Sequence, residues 1–297
     1  MKKYAAIDIG TNSLRLLLAQ IRGNKFTYRK KELAPTRIGE SVDEEGYISP
    51  EGMARNLKAL ELFVNKARDY GAGKIMAIGT SGLRDAKNAE DFVKKAHGSL
   101  GIKIKILSGQ EEAQLGYRGV CLALKEAGRV LLVDIGGGST EFILGQAGQL
   151  QEAYSEDIGA VRITERVGED YERLYSLVEN NMGARLGQLK DKRIEEVIAI
   201  GGTISSLAAI DQELETYDQD KIHNYCLTLA SIRTIKKRLS GMTLEERKQV
   251  KGLQAERADI IIGGIAILLC IMEGLSIKKI RISEYDGLEG IIYDQVK

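Results

Sequence analysis

Only two prolines, two histidines and three cysteines occur in the 297 residues of the chain. So few prolines argue against a long disordered linker, and order is expected nearly throughout. With His97 and His223 as the whole histidine complement, a histidine-rich metal centre is not expected, and a metal would sit on oxygen ligands. Cys121, Cys226 and Cys270 are odd in number, far apart and without metal-type spacing, which suits small core residues in a reducing compartment. An excess of one charge is missing too. Forty-three Lys and Arg against 42 Asp and Glu leave a net +1, so no global field steers the chain toward nucleic acid or an anionic membrane. Long hydrophobic runs are also absent. The apolar stretch from Ile260 to Met272 contains two glycines and is well short of the roughly 20 residues that cross a bilayer. It reads as a helix buried in its own domain or in a dimer. The start, Met1 to Asp8, imitates a signal peptide, but Asp8 and Gly10 interrupt it, and it reads as a strand. These absences together predict a cytoplasmic protein that partners neither nucleic acid nor membrane.

What is present is a globular composition, 43% hydrophobic and 29% charged, at a length that favours two domains. Basic clusters at Arg29 to Lys31, Lys94-Lys95, Lys236 to Arg238 and Lys278-Lys279 read first as solvated faces and give a polyanion only weak support. The chain also repeats itself. Ile7-Asp8-Ile9-Gly10-Thr11-Asn12-Ser13 overlays Val133-Asp134-Ile135-Gly136-Gly137-Gly138-Ser139, and Ile75 to Thr80 overlays Val197 to Gly202. In each copy β-favouring residues run into Asp-Ile-Gly, pass a short polar stretch, and resume as Leu14 to Ile21 or Phe142 to Leu144, the pattern of a hairpin. Ser81 to Lys87 and Ile204 to Ile210 read as helix starts. Between the repeats, Ser49 to Tyr70 reads as an amphipathic helix with Pro50 at its start and Met53, Leu57, Leu60 and Val64 at helical spacing. Strands and helices alternate, which predicts an α/β protein of two similar domains, 1–124 and 125–297, facing one cleft. The boundary is expected near Lys125 to Gly128, between a helix over Glu111 to Leu124 and a strand over Val130 to Val133. The last helix, within Asp286 to Val296, is a candidate to reach back to the first domain.

Two glycine turns, Gly10 to Ser13 and Gly136 to Thr140, each follow an aspartate at a strand end. Small residues there let backbone N–H groups approach a phosphate closely. Asp-X-Gly alone can equally make a tight hairpin. Recurrence at matching places in both halves favours a pair of phosphate clamps. Asp8 and Asp134, just before the turns, suit Mg²⁺ or another divalent cation, held directly or through water, or else bond within the turn. Glu141 lies on the same side of its strand as Ser139 and could share the metal or position water. Its first-half equivalent is Arg15. That asymmetry suggests the second turn is the metal side and the first is more purely phosphate-binding.

The ordered set Ala6 to Ser13, Gly79 to Asn88, Leu107 to Ala113, Val133 to Glu141 and Ile200 to Thr203 resembles the exopolyphosphatase and guanosine pentaphosphate phosphohydrolase family across almost the whole chain. The resemblance implies two ribonuclease H-like, actin-like domains enclosing a Mg²⁺-dependent active site in the interdomain cleft. It implies terminal phosphate release from polyphosphate or a guanosine polyphosphate nucleotide. It also implies that Glu112 is the general base and that Arg84 sits near the phosphates. Glu111 and Glu112 open a helix, where a Glu pair is otherwise plain dipole complementarity; Arg84 could otherwise pair with Asp85 or Glu90. Gly201, Gly202 and Thr203 stand where actin-like proteins take up nucleotide, or they cap a helix. Gln114 and Glu289 replace arginines usual in the family, which removes positive charge near the expected site. The chain resembles the short family form, without the helical His-Asp domain of larger relatives. Competing readings are an actin-like ATPase or small-molecule kinase, which would want a substrate-recognition insert that is not seen, and a non-catalytic nucleotide-binding protein.

Overall fold

A computed structural model describes residues 2–23, 25–124 and 128–296. The expected boundary at Lys125 to Gly128 falls largely on residues 125–127, which lie outside the described residues. The chain divides into two compact units, Met1–Gly119 with Gly287–Lys297, and Val120–Asp286.

The first unit opens with β1 (Lys2–Ile9), β2 (Leu14–Arg22) and β3 (Lys25–Ala34), an antiparallel meander. After the one-turn α1 (Val42–Glu45) and α2 (Pro50–Asp69), β4 (Lys74–Gly79) pairs in parallel with β1. The chain continues through α3 (Ser81–Arg84), α4 (Ala89–Leu100), β5 (Ile104–Ile106) and α5 (Gly109–Ala123), giving the sheet order β3-β2-β1-β4-β5. β1 is buried on both faces, and its residues divide by the two-residue strand period. Ala5, Ile7 and Ile9 join the core with Leu60, Phe63 and Phe92 of α2 and α4, whereas Tyr4 and Ala6 pack with Leu288 and Ile292. α2 starts where expected: Ser49 caps it by accepting the Gly52 amide at 3.0 Å, and Pro50 fills the first turn, where no amide partner is needed.

The second unit repeats this plan. β6 (Arg129–Ile135), β7 (Thr140–Gln146) and β8 (Gln149–Glu156) form its meander, followed by α6 (Ala160–Val167) and α7 (Tyr171–Lys190). β9 (Glu196–Ile200) then pairs in parallel with β6. Next come α8 (Gly202–Asp211), α9 (Gln219–Ile222), β10 (Cys226–Thr228), α10 (Leu229–Ser240) and α11 (Leu244–Arg247). α12 (Ile261–Gly274) and β11 (Lys279–Ile282) complete the sheet β10-β11-β9-β6-β7-β8. α12 is the apolar run of the sequence. It is buried from Ile261 to Met272 inside the unit, as a helix apolar on all sides must be. Among the described residues no helix is long and apolar enough to cross a membrane. The final helix, α13 (Gly287–Asp294), belongs to the first unit and packs on β1 and β2.

The helix expected over 81–87 ends at Arg84. Beyond it the Lys87 amide donates to the Gly46 carbonyl at 2.9 Å, and the Asn88 side chain bonds both the N–H and the C=O of Ile48. Those long-range bonds pull the chain out of helical geometry.

Candidate active site

Each unit places its glycine turn at the end of its first strand. The turns are the same structure twice: the Gly10 amide donates to the Ser13 carbonyl at 3.1 Å, and the Gly136 amide to the Ser139 carbonyl at 3.0 Å. Both turns are backed by protein that takes their carbonyls. In the first, Gly39 N–H donates to Thr11 O and Arg37 N–H to Asn12 O. In the second, the amides of Val161 and Arg162, at the N-terminus of α6, donate to Gly137 O, and the Arg162 side chain donates to Gly138 O at 2.7 Å. Among the described residues no peptide bond is cis, and in a trans peptide the C=O and the following N–H point opposite ways. With those carbonyls turned inward, the amides of Asn12 and Ser13, and of Gly138 and Ser139, point away from the backing segments. That makes two amide cradles for anionic oxygen. The close approach that the glycines of the second turn permit is made by Gly159, where a Cβ would come within 2.4 Å of the Gly137 carbonyl.

The aspartates before the turns face different partners. Asp8 is opposite Arg15 across the β1–β2 ladder and takes two bonds from its guanidinium, so its charge is met by a cation. Asp134 is opposite Glu141 across the β6–β7 ladder. Directly opposed carboxylates repel unless a cation or proton lies between them. Glu141 is 1% exposed and accepts from the Ser155 hydroxyl at 2.7 Å. Gly201 has φ +102°, and a Cβ there would lie 2.9 Å from Asp134 Oδ1 and 2.5 Å from the Ile135 carbonyl. The turn at the end of β9 thus presses its backbone on the Asp134 carboxylate, which is what requires glycine. Among the described residues no three His, Cys, Asp or Glu side chains form a metal-binding group. A pair of carboxylates beside an amide cradle nevertheless fits Mg²⁺, which takes one or two carboxylates and completes its shell with water and substrate phosphate.

Thr140 is fully buried and gives its hydroxyl to the Ile158 carbonyl at 2.6 Å, so it braces the second turn. Thr203 packs against Gly264 of α12, where a Cβ would come within 2.4 Å of its hydroxyl oxygen. Gly202 lies under the Arg257 guanidinium, 2.1 Å from where its own Cβ would be. In the first unit, Thr11 and Ser81 share a hydroxyl–hydroxyl bond of 2.7 Å, and a Cβ at Gly82 of α3 would lie 3.0 Å from the Thr11 Cα. α3 is thereby fastened to the first turn and carries Arg84 with it. Arg84 donates to the Glu112 carboxylate at 3.1 Å and to the Leu107 carbonyl at 3.1 Å, while Asp85 is 3.8 Å away.

Glu111 does something else. Its carboxylate accepts the Ser108 amide at 2.9 Å, and its own amide donates to the Ser108 hydroxyl at 3.3 Å, a reciprocal cap at the start of α5. Lys105 donates to it at 2.6 Å; that bond, then the cap, pulls its pKa down to about 2.

Ser81, Ser155, Gly159, Arg162 and Arg257 were not among the expected site residues. Ser81 was within reach, because the overlay of Gly79-Thr80 on Gly201-Gly202 extends to Ser81 on Thr203. The others act through contacts with partners distant in sequence, which no local pattern announces.

The Ppx/GppA phosphatase family model matches residues 17–297. The chain belongs to this family. It is 31% identical to exopolyphosphatase 2 of Mycobacterium tuberculosis, over 98% of both chains. It is 34% identical to a bifunctional 3-dehydroquinate synthase/phosphatase of Fusobacterium nucleatum, covering 99% of this chain and 46% of that protein. It is 30% identical to a guanosine-5'-triphosphate,3'-diphosphate pyrophosphatase of Vibrio cholerae, covering 99% of this chain and 59% of that one. Among solved structures, an exopolyphosphatase from Cytophaga hutchinsonii superposes with a TM-score of 0.90 at 26% identity, covering 99% of this chain and 98% of the other. The Aquifex aeolicus Ppx/GppA member superposes with a TM-score of 0.81 at 28% identity, over 99% and 97% of the two chains. The paired α/β units are the two actin-like domains of this Ppx/GppA protein.

Proposed function

We propose that the protein releases terminal orthophosphate from inorganic polyphosphate or from guanosine pentaphosphate by attack of water in line with the leaving phosphate. The single observation that carries this reading is the division of labour between neighbouring glutamates. Glu111 is consumed by its helix cap, whereas Glu112 is a partly exposed carboxylate tied to Arg84 of α3, the helix whose Ser81 hydroxyl bonds Thr11 of the first turn. Glu112 takes the proton of the attacking water, and its carboxylate Oε2 lies within reach of a guanidinium that prefers phosphate oxygens as a bidentate partner. An arriving phosphate competes for Arg84, and the carboxylate it releases is the stronger base. Asn12, Ser13, Gly138 and Ser139 offer amides to phosphate oxygens. Gly10, Thr11, Gly136 and Gly137 shape those turns. Asp134 and Glu141 would hold Mg²⁺, which when bound offsets negative charge on the phosphates. Asp8, already paired with Arg15, contributes at most an outer contact. The names of the M. tuberculosis and V. cholerae relatives support the two substrate classes. The odd number and wide spacing of the three cysteines support a reducing, cytoplasmic setting.

The test is Glu112→Gln. Loss of a positioned base should lower kcat by about 10² to 10⁴ while KM changes little. Turnover within a few-fold of the parent would remove Glu112 from the base role.

A further inference from the structure

The parallel strands β6 and β9 end at Asp134-Ile135 and Ile200, beside the second turn. A separate concavity lies in the same unit where β9 and β11 begin, about 13 Å away at the strand rise over the length of β9. It encloses roughly 600 Å³. Its floor is the buried Leu189, Val197 and Ile280, and its walls are the end of α7, the segment leading into β9 and the loop leading into β11.

The walls are basic. Lys192 and Arg281 already meet Glu152 at 2.7 Å and Glu196 at 2.5 Å. Lys190, Arg193, Lys278 and Lys279 remain, all exposed, with Glu195 as the lone further carboxylate of the lining among the described residues. In a chain whose overall charge is +1, such a concentration is local and does not reflect a generally basic surface. Among the described residues no aromatic side chain lines the groove, which leaves out the stacking platform that nucleobases or single-stranded nucleic acid would use. Long, mobile cations over a rigid floor suit a flexible anion without bases.

We infer that this groove is a second anion site, holding a run of contiguous phosphates of an inorganic polyphosphate chain at the end of the sheet opposite the second glycine turn. The identity of the polymer rests on the function proposed above; binding in the groove does not depend on turnover. Part of Lys278-Lys279, which as sequence reads as a solvated face, is then the anchor of a long substrate.

Cys226 lines the groove and is exposed, whereas Cys270 is buried and Cys121 is half-buried. The experiment measures how fast iodoacetamide alkylates Cys226, read by peptide mass spectrometry, with and without long-chain polyphosphate. It is paired with equilibrium binding of the same polymer to the parent and to K278E/K279E, with K278A/K279A as a milder pair. Polyphosphate should slow alkylation at least about threefold in the parent, and charge reversal should abolish that protection and weaken binding about tenfold. Hydrolysis of tripolyphosphate or pppGpp should be unchanged in both variants, which also shows that they fold. Unprotected Cys226, or unaltered binding by K278E/K279E, overturns the groove. Protection by pppGpp in place of polyphosphate overturns it too. A protein that shows protection but hydrolyses nothing keeps the groove and loses the proposed hydrolase function.

Discussion

Glu111 and Glu112 stand side by side and differ in everything but residue type. The Glu111 carboxylate, with its pKa near 2, is stabilised by Lys105 and by the Ser108 cap. Its folded pKa lies below the unfolded carboxylate value of about 4.5, so its contribution is fully present above that value and fades as pH falls toward 2. Glu111→Gln should therefore flatten the loss of stability between about pH 4.5 and 2, leaving neutral-pH turnover near that of the parent. The carboxylate is 40% exposed, so solvent screening limits the loss at neutral pH to about 1 kcal/mol or less. Denaturant titrations across that pH range check the prediction. An unchanged acid profile would separate the pKa from the cap. The cap itself was legible as Ser108-Gly109-Gln110-Glu111, the Ser-x-x-Glu spacing, although the sequence reading credited Glu111 only with dipole complementarity. The Arg84–Glu112 contact was not legible. It spans 28 positions and depends on where α3 is pinned.

At the scale of elements, α13 is held to its sheet by a buried carboxylate. Glu289, fully buried, receives Arg29 and Lys31 of β3 at 3.1 Å each. That buried carboxylate is the counter-ion that ties the last helix to the edge of the first sheet. Removing one member of a buried pair is costly because the others stay desolvated. Glu289→Ala should lower stability by about 3 kcal/mol, measured as a shift in the denaturation midpoint at constant slope, and Arg29→Ala should cost less because Lys31 remains. A loss under about 0.5 kcal/mol would mean that Leu288 and Ile292 alone hold α13. Long elements with strong periodicity, such as α2 and α12, could be read directly. β5 and β10, three residues each, are too short to show a period, and α3 is cut short by bonds to Gly46 and Ile48 that sequence proximity does not reveal.

For the whole molecule, duplication is the organising fact, and it is legible in the sequence as the overlay of one half on the other. Both sheets share the meander followed by parallel crossovers, and both turns bond in the same way. What the duplication cannot convey is how the copies diverged. Arg15 against Asp8 and Glu141 against Asp134 turn one ladder position into an ion pair in one half and a pair of carboxylates in the other. The contrast was readable as two residue types, and its cross-strand geometry makes the second half the cation side of the proposed mechanism. The account then rests on one assay. Purified protein with Mg²⁺ is incubated separately with polyphosphate, pppGpp and ATP, and released phosphate is followed for the parent and for Glu112→Gln. The account predicts release from polyphosphate or pppGpp well above that from ATP, lost in the variant; release from ATP alone, or from none of the three, would contradict it.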